Sequence, residues 1–560
     1  MKQQVLFFFF TLMLTGISVS AQTGGGRIAG VVIDNAGEEP LPGATIFIEE
    51  LKKGIVTDGH GEFLLSDVPA ATYTLTVRFI GYHTQTRKLT VGKERGKKII
   101  IRLKAEAKSL DEVVVMGKSE ARKLREQAMP ISVISMNQIQ GTVNNVQDIL
   151  AKTAGITVRA TGGTGSTSRI SVRGLEGKRI GLFIDGNPMN DNSDFIDIND
   201  IPVEMIDRIE IYKGVVPAKF GGSAVGGAVN IVIKEYPPKY LDVNYSYGSF
   251  NTHNASVVSK MNIAPKGIEF GLGGFYTYAD NDYKMKSPFQ EGLTITRDHD
   301  KFKKTVIGGS FKARKWWFDL VEFEPVFIHT YKDIQGIESN IRHAHSHSNA
   351  FIFANKMEKE NFLLDGLDLD WQLGYIYTDY HFADTASHRT HWDGTHYPAV
   401  SEFGGEIGKW ASLLTNEKHQ LQHKLNLNYL VNENHSVNFN SLLKYAHANP
   451  RDGMKDKVIG YRTDFPSNMF SWVAGLNYDY RTSNDKFLNS FNVKYYYYSM
   501  KTRMASVLVK TAEDIDTHKN DFGISNALRY RITPSLMAKA SFGYDVRLPS
   551  EEELSVPVDR

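Results

Sequence analysis

The sequence contains no cysteine in its 560 residues, and this absence excludes several kinds of site. Without thiols, the chain has no disulfide framework, no thiolate metal site and no N-terminal cysteine for lipid attachment. The net charge is only +2, which argues against a nucleic-acid-binding protein, because such proteins usually carry a strongly basic patch. The sequence has neither the H-E-x-x-H zinc spacing nor the G-x-S-x-G nucleophile elbow. It therefore predicts no catalytic residue, no resident metal and no cofactor, and the protein is not expected to be an enzyme.

Long apolar runs are also absent, apart from Val5 to Leu14 near the N-terminus. Lys2 precedes this run, and Val19-Ser20-Ala21 follows it as a small-residue cleavage site. The run falls short of the roughly 20 apolar residues that a membrane-spanning helix needs. Residues 1–21 are therefore predicted to be a secretory signal, in preference to a membrane anchor. The mean hydropathy of −0.30 leaves a β-barrel open, since its alternating strands average out.

Residues 127–235 are predicted to form a separate α+β domain. Asn145 to Ala154 has the pattern of a short helix, and the domain ends in the glycine-rich block Arg208–Lys234. Glycines at this density allow positive φ and close backbone approach. The order of SRISVRG (168–174), Ile184-Asp185-Gly186 and this block resembles the plug domain of TonB-dependent outer-membrane receptors. In that family, a globular plug fills a β-barrel that begins directly after it.

Residues 27–104 carry short β-prone runs separated by turn residues, which predicts a β-sandwich of about 75 residues. The runs are Ile28–Ile33, Ala44–Glu49, Glu62–Leu65, Tyr73–Phe79 and Lys98–Leu103. The succession L-P-G-A-T, T-D-x-x-G-E-F and Y-T-L-T-V resembles the carboxypeptidase-regulatory-like (transthyretin-like) module, which often precedes the plug in receptors of Bacteroidetes-type bacteria. This resemblance implies a non-catalytic accessory domain in the periplasm.

Residues 105–118 are predicted to be a linker that contains the sequence LDEVVV. Acidic residues followed by β-branched residues, with no partner strand nearby, can add as a strand to the edge of another protein's sheet. The segment resembles a TonB box, the docking site of the energy-coupling protein. The residues implied in this contact are Asp111, Glu112, Val113, Val114 and Val115. The alternatives are the last strand of the sandwich and an edge strand of the plug.

Two polar loops of the plug region allow more than one interpretation. The sequence GGTGSTS at 162–168 could cradle a phosphate, but it lacks the lysine of a P-loop and a following helix, so a plain plug loop is favoured. Residues 187–200 are rich in Asn and Asp, but the D-x-D-x-D-G order of a calcium loop is missing. A solvated apical loop is the favoured interpretation, and Asn190 and Asp191 are its candidates for contact with the ligand.

Residues 239–560 show repeated alternation of apolar and polar side chains, as in 421–431, which is typical of a sheet with one apolar and one wet side. Short predicted connections are Lys312–Lys315, Lys356–Asn361, Asn432–His435, Ser483–Lys486 and Thr533–Ser535. Long ones alternate with them: Asp280–Lys301, Tyr331–His345, Ala383–Glu417, His447–Pro466 and Thr502–Thr517. Short periplasmic turns and long extracellular loops are typical of an outer-membrane barrel. The predicted fold class is thus mainly β, with a sandwich, an α+β plug and an antiparallel transmembrane β-barrel.

The count gives about 13 strands between Tyr240 and Tyr544, whereas bacterial single-chain barrels have an even number. Plugged outer-membrane transporters have about 22 strands. Gly543 to Leu554 resembles an internal strand end of this receptor family. The expectation is therefore a chain that ends before its barrel is complete.

The resemblance implies a receptor in the cell outer membrane that binds a scarce extracellular ligand. It would import this ligand with energy from the inner-membrane TonB complex, with outer-membrane lipid around it and no nucleic-acid partner. The alternatives are a passive porin-like channel, uptake of glycan, peptide or cobalamin, and an adhesin displayed on a barrel. A metal chelate, siderophore or haem is the preferred ligand, since imidazole is a strong transition-metal ligand. The candidate ligand-binding histidines are His343, His345, His347, His388, His391 and His396.

Overall fold

The computed structural model describes residues 26–35, 38–79, 82–92, 98–104, 120–136, 146–160, 162–166, 168–189, 201–222, 224–263, 267–314, 316–399, 404–506 and 510–549. The chain divides into two units, Met1–Gly117 and Lys118–Arg560, and each is described by itself. Within the described ranges, none of the helices is long and apolar enough to cross a membrane.

The described part of the first unit contains seven strands in two sheets. They are β1 (Gly26–Asp34), β2 (Thr45–Ile48), β3 (Lys53–Val56), β4 (Glu62–Val68), β5 (Thr72–Arg78), β6 (Gln85–Thr90) and β7 (Ile99–Leu103). One sheet has the order β4-β1-β7, and the other has the order β3-β2-β5-β6. Val32 of the first sheet and Ile46 and Leu75 of the second belong to one hydrophobic core. The predicted β-sandwich is thereby confirmed.

Sequence reasoning missed β3 and β6, which are the two edge strands of the four-stranded sheet. Nearly every residue of β6 is exposed, and no residue of β3 is buried. An edge strand that packs few side chains into the core carries no clear apolar alternation, so its sequence gives little strand signal.

The second unit begins with the plug, an α+β domain built on two small sheets. Its elements are α1 (Glu120–Arg125), β8 (Ile131–Ser135), α2 (Val146–Ala151), β9 (Ile156–Ala160), β10 (Ser168–Val172), β11 (Leu175–Glu176), β12 (Gly181–Ile184), β13 (Asn187–Pro188), β14 (Ile206–Tyr212) and β15 (Ala228–Ile233). The sheets have the orders β13-β12-β15-β14-β8 and β11-β10-β9. As predicted for the short helix, Val146, Ile149 and Leu150 are buried.

The glycine-rich block forms the antiparallel pair β14–β15, and its turn needs glycine at Gly227. The φ of Gly227 is +115°, and a Cβ at this position would lie 2.3 Å from the carbonyl oxygen of Tyr212. Next to the turn, the buried Glu210 carboxylate accepts hydrogen bonds from Arg208 Nε (2.8 Å), the Tyr212 hydroxyl (2.9 Å) and Asn230 Nδ2 (3.0 Å). This network satisfies a charge that would be costly to bury alone.

Residues 239–544 form one antiparallel sheet of thirteen strands in the described part of the chain, which confirms the predicted strand number. Its strands are β16 (Lys239–Gly248), β17 (Thr252–Ile263), β18 (Ile268–Ala279), β21 (Phe302–Arg314), β22 (Leu320–Asp333), β23 (His345–Lys359), β24 (Leu367–Asp384), β27 (Ser412–Asn432), β28 (His435–Asp452), β29 (Ser467–Arg481), β30 (Phe487–Ser506), β31 (Thr511–Arg531) and β32 (Met537–Tyr544). Each strand pairs with its neighbours in this order. The loops contain the hairpins β19 (Tyr283–Lys286)–β20 (Thr294–Arg297) and β25 (His388–Thr390)–β26 (His396–Pro398), and helix α3 (Gly453–Ile459).

The connections place long loops at one end of the sheet, called here the loop end, and short turns at the other, the turn end. The long loops are 280–301, 334–344, 385–411 and 453–466. The predicted long link Thr502–Thr517 is wrong, because β30 and β31 pair as far as Ser506 and Thr511 and leave only 507–510 between them. Polar alternation continues the ladder there, so polarity alone did not distinguish a loop from the end of a long strand.

Candidate functional site

The side chains of the thirteen-stranded sheet divide into an inner face toward the plug and an outer face away from it. Three inner-face lysines establish this division because each donates to a plug carbonyl. Lys424 Nζ lies 2.7 Å from Gly186 O, Lys332 Nζ lies 2.8 Å from Gly165 O, and Lys494 Nζ lies 3.4 Å from Gly222 O. Residues at alternate positions of a strand point to the same face, so these contacts fix the face of every residue in register with them.

The outer face is apolar along the middle of the strands and polar toward the loop end. On β27, Leu421 is 55% exposed and Val431 is 49% exposed, whereas Gln420 and Lys424 on the inner face are buried. Above the apolar part, Tyr375 and His419 share a hydrogen bond of 2.8 Å. An outward apolar band bordered by aromatic residues is the arrangement expected of a sheet in a bilayer.

The upper loop of the plug, 162–166, is fixed to the loop end of the sheet. Asn281 accepts from the Thr164 N–H at 3.0 Å and donates to Thr164 O at 2.9 Å. A Cβ at Gly165 would lie 2.1 Å from the ring of Phe302. The glycines of this loop therefore allow close contact with the sheet, which agrees with the plain plug loop favoured over a phosphate cradle.

The lower part of the plug is held by further polar contacts at the turn end. Arg531 forms an ion pair with Glu126 at 2.9 Å. Lys539 Nζ donates to the carbonyl oxygens of Arg125 (2.6 Å) and Met129 (3.0 Å). Most of the contacts that fasten the plug thus run from cationic side chains of the sheet to backbone oxygens, so they can break and re-form without unpairing a plug side chain.

Asp185 lies in the plug turn that precedes Gly186, opposite a charged part of the inner face. Its Oδ1 accepts from the Ile233 N–H at 3.1 Å. Desolvation by the surrounding protein raises the pKa of Asp185 to about 6, although the side chain keeps contact with solvent. The hydrogen bond from the Ile233 N–H and the positive charge of Lys356 act in the opposite direction. This carboxyl can therefore change its charge in a mildly acidic environment.

A buried carboxylate ties two of the long loops to each other. Glu406, whose side chain is only 2% exposed, accepts from the N–H groups of Arg342 (3.1 Å), His343 (2.9 Å) and Ala344 (3.3 Å). Asp384 in turn accepts from the Glu406 N–H at 2.6 Å. These contacts join the 334–344 loop to the 385–411 loop.

Additional contacts extend this connection to the 280–301 loop and so to the plug. Gln335 Oε1 accepts from the N–H groups of Asp298 (3.1 Å) and His299 (2.8 Å), and Arg342 pairs with Asp298 at 3.1 Å. Because Asn281 binds the plug loop, a continuous chain of hydrogen bonds runs from the plug to the longest loop. The plug and the three long loops are therefore linked by one network of hydrogen bonds.

The histidines of the H-x-H-x-H sequence do not all lie in one strand. His343 precedes β23, and its Nδ1 lies 3.3 Å from Glu406 Oε1. His345 and His347 are on the outer face, since Ser346 between them is in register with the inner-face Lys332. His347 stacks on His381 with ring centroids 4.4 Å apart. A role for the three in ligand binding stays a prediction.

His388, His391 and His396 all lie on the hairpin of the 385–411 loop. The rings of His388 and His396 are 4.2 Å apart, and His391 stacks on Tyr397 at 4.1 Å. Within the described residues, no group of three or more His, Asp or Glu side chains is arranged to hold a metal ion. The two predicted sets of histidines are therefore not combined into one metal site by the described part of the chain.

Two predicted contacts fall outside the described residues: Asn190 with Asp191 in the plug, and the segment Asp111–Val115. Sequence reasoning missed Lys332, Lys424, Lys494 and Asn281, which bind the plug. Their one signal is a lysine or asparagine on the polar side of an alternating strand, and that signal is shared by many residues without such a contact.

Comparisons with known proteins agree with this architecture. The CarboxypepD_reg-like domain family matches residues 28–115, and the TonB-dependent Receptor Plug Domain family matches residues 123–228. A TonB-dependent receptor of Formosa agariphila is 28% identical over 249 residues, which are 43% of this chain and 23% of that protein. The vitamin B12 transporter BtuB of Vibrio vulnificus is 24% identical over 265 residues, 46% of this chain and 43% of that protein. The chain thus spans less than half the length of these relatives.

A solved structure described as the copper transporter OprC superposes with a TM-score of 0.60 at 14% identity, over 76% of this chain and 66% of its own. At this identity the likeness concerns the fold alone. The domain matches and the sheet indicate an outer-membrane protein with its plug on the periplasmic side. The chain therefore carries a CarboxypepD_reg-like domain followed by a TonB-dependent Receptor Plug Domain, and it is similar to TonB-dependent receptors.

Proposed function

We propose that this protein imports a scarce extracellular ligand through the outer membrane, with energy supplied by the inner-membrane TonB complex. The observation that carries the proposal is the way the plug is fastened. Lys332, Lys424 and Lys494 hold plug carbonyl oxygens, and such bonds can be exchanged for water when the plug is pulled. A plug that had to stay in place would be better fixed by apolar packing alone.

The connected loops supply the second part of the proposed mechanism. Ligand captured at the loops or at the plug apex would act on the plug through Asn281 and the 334–344 loop. The plug would then shift when the coupling protein pulls on the segment Asp111–Val115, and the ligand would pass. A passive porin is the weaker alternative, because a porin keeps a water-filled lumen, whereas this sheet is in contact with a plug domain.

We propose a metal chelate, siderophore or haem as the ligand class, captured in part by His388, His391 and His396 on the loop hairpin. This proposal is supported by the short distance between the imidazole rings of His388 and His396, whose centroids are 4.2 Å apart. Neutral imidazole binds transition metals well. Asn190, Asp191 and the three histidines at 343–347 are the remaining candidates for ligand contact.

The test of energy coupling is Val114→Pro in the full-length receptor, with Val114→Ala as the matched control. Proline removes a backbone donor and disfavours strand addition, whereas alanine keeps the N–H. Cells with Val114→Pro should bind the ligand but stop accumulating it, and cells with Val114→Ala should accumulate it as before. Undiminished accumulation with Val114→Pro contradicts the assignment of the docking segment. Haemin and ferric and cobalt chelates, applied with and without replacement of the histidines by alanine, test the ligand class.

A further inference from the structure

A row of polar side chains, most of them neutral amides, crosses the inner face of the sheet from β24 to β31. One residue from each of six neighbouring strands contributes: Asp368, Asn428, Asn438, Asn477, Asn492 and Ser525. The row lies on the inner face, because Asn428 is four residues from Lys424 and Asn492 is two residues from Lys494. The next row toward the loop end adds Asn426 and Asn440. We call these two rows the asparagine rows.

Several of these amides are buried without a partner. Asn440 is 1% exposed, and in the described part of the chain neither its Nδ2 nor its Oδ1 has a hydrogen-bond partner. The Oδ1 atoms of Asn426 and Asn492, which are 7% and 4% exposed, are likewise unpartnered among the described residues. Gly475 lies opposite Asn440, and a Cβ there would come within 2.6 Å of the Asn440 amide. Glycine thus makes room for an amide that has no hydrogen-bond partner among the described residues.

Buried polar groups normally have partners, and an unsatisfied one is costly. An unpartnered amide at such a position can bond to water or to a solute that passes along it. Neutral amides both donate and accept, and a series of weak, exchangeable sites is what allows a solute to enter and also to leave.

The asparagine rows lie between two places where the plug rests on the sheet. Toward the loop end, a Cβ at Gly221 would lie 3.2 Å from Leu442 Cβ, and Lys424 binds Gly186. Toward the turn end, Ala128 packs with Leu488 and Ala527. The rows thus form a polar seam that plug contacts close above and below.

The inner face of β21–β24 has a different character, because it carries two ion pairs. Lys312 and Glu322 form an ion pair at 2.6 Å, and Lys356 and Glu358 form one at 2.5 Å. A wall of paired charges binds a passing neutral group poorly, since the ions already satisfy each other. The two halves of the inner face are thus suited to different tasks.

We propose that the seam along the asparagine rows is the passage by which the solute reaches the periplasm, and that this solute is hydrophilic and rich in hydroxyl or carbonyl groups. The inference rests on the proposed import function and deepens it. Oligosaccharides and hydroxamate chelates share this chemistry, whereas a porphyrin, which is largely apolar, does not.

Because the chain has no native cysteine, single cysteines can report the position of the passage. Ser525→Cys lies in the asparagine rows, and Ala354→Cys, in register with Glu324, is the control at similar depth on the charged half. A membrane-impermeant maleimide is added to intact cells that express the full-length receptor, with and without the TonB complex. If the TonB complex shifts the plug toward a state in which the seam is open, labelling at Ser525→Cys should be about tenfold faster when the complex is present. Labelling at Ala354→Cys should stay unchanged. Equal labelling at Ser525→Cys, or a larger change at Ala354→Cys, overturns the location.

Two further arms separate the other outcomes. Ser166→Cys on the upper plug loop reports plug movement itself: if it too ignores the TonB complex, the import function fails, and if it alone responds, only the passage is misplaced. Maltohexaose, ferrioxamine B and haemin are then tested as protectants of Ser525→Cys. Protection by maltohexaose points to a glycan source, and protection by ferrioxamine B points to a chelate. Protection by haemin alone, or by none of the three, overturns the proposed chemistry.

Discussion

Glu406 is the residue whose replacement should most clearly uncouple the loops. Its carboxylate is buried and accepts three backbone N–H groups of the 334–344 loop, at 3.1, 2.9 and 3.3 Å. Glu406→Ala removes all three bonds. A hydrogen bond to a charged group contributes about 1.5–3 kcal/mol. Because two of the three are longer than ideal, about 1 kcal/mol each is a fair value, which gives a loss of about 3 kcal/mol.

This loss should appear as local opening of the loops, since the strands do not depend on Glu406. Each 1.4 kcal/mol corresponds to about a tenfold change in an equilibrium constant. Hydrogen exchange of the amides at 342–344 should therefore become about 100-fold faster, because exchange follows the local opening equilibrium. Glu406→Gln keeps the shape but loses the charge, and about a tenfold increase is expected.

The assay is hydrogen exchange with mass spectrometry on the detergent-solubilised receptor. Glu338→Ala is the control, because Glu338 lies in the same loop but is exposed. Its exchange at 342–344 should match that of the unmodified protein. If Glu406→Ala changes exchange there no more than Glu338→Ala does, the carboxylate does not hold the loops together, and the path from loops to plug loses its central connection.

Two predictions concern the plug. Desolvation by nearby protein atoms raises the pKa of Asp185 to about 6 from its ordinary 3.8. Its contribution to stability is therefore fully present below about pH 4 and is lost as the pH rises through 6. Asp185→Asn should remove this dependence, and thermal melts at pH 4 to 7 in which the two proteins stay parallel would contradict it. Gly227→Ala should destabilise the plug by several kcal/mol, because its new Cβ would collide with the carbonyl oxygen of Tyr212. Gly174→Ala is the control, since Gly174 has a φ of +83° but no neighbour within 4 Å, and it should cost only about 1–2 kcal/mol. Limited proteolysis of the plug compares the two variants, and equal sensitivity would show that the strain in φ, and not the contact with Tyr212, determines the loss of stability.

The strands of the sheet could be predicted from the sequence because each one shows its own alternation of apolar and polar residues. Alternation between Leu421 and Gln422 reflects a period of two, which holds whatever the strand packs against. The same pattern cannot tell which polar residue meets the plug. Lys424 and Lys444 are equivalent in the sequence, and only the register distinguishes the lysine that binds Gly186.

The loops were predictable in position but not in structure. Glu406 and Asp384 are ordinary acidic residues in a polar stretch, and their function depends on backbone N–H groups 62 to 64 residues away in one case and 22 to 24 in the other. Such partners are chosen by tertiary folding and leave no periodic signal. For the same reason, the spacing of the histidines at 343–347 does not reveal that β23 begins only at His345.

The length of the strands determines how far the sheet extends beyond the membrane. β27 and β31 have 21 residues each, which at about 3.3 Å per residue and a tilt of about 40° gives a height of about 50 Å. The apolar band of such a sheet is only about 25 Å tall, and on β27 it ends below His419 and Glu417. The loop end of the sheet therefore extends well beyond the lipid headgroups. If the protein imports a ligand as proposed, a bulky ligand can bind at this height without touching the membrane, and only the imported part of it has to pass along the inner face of the sheet.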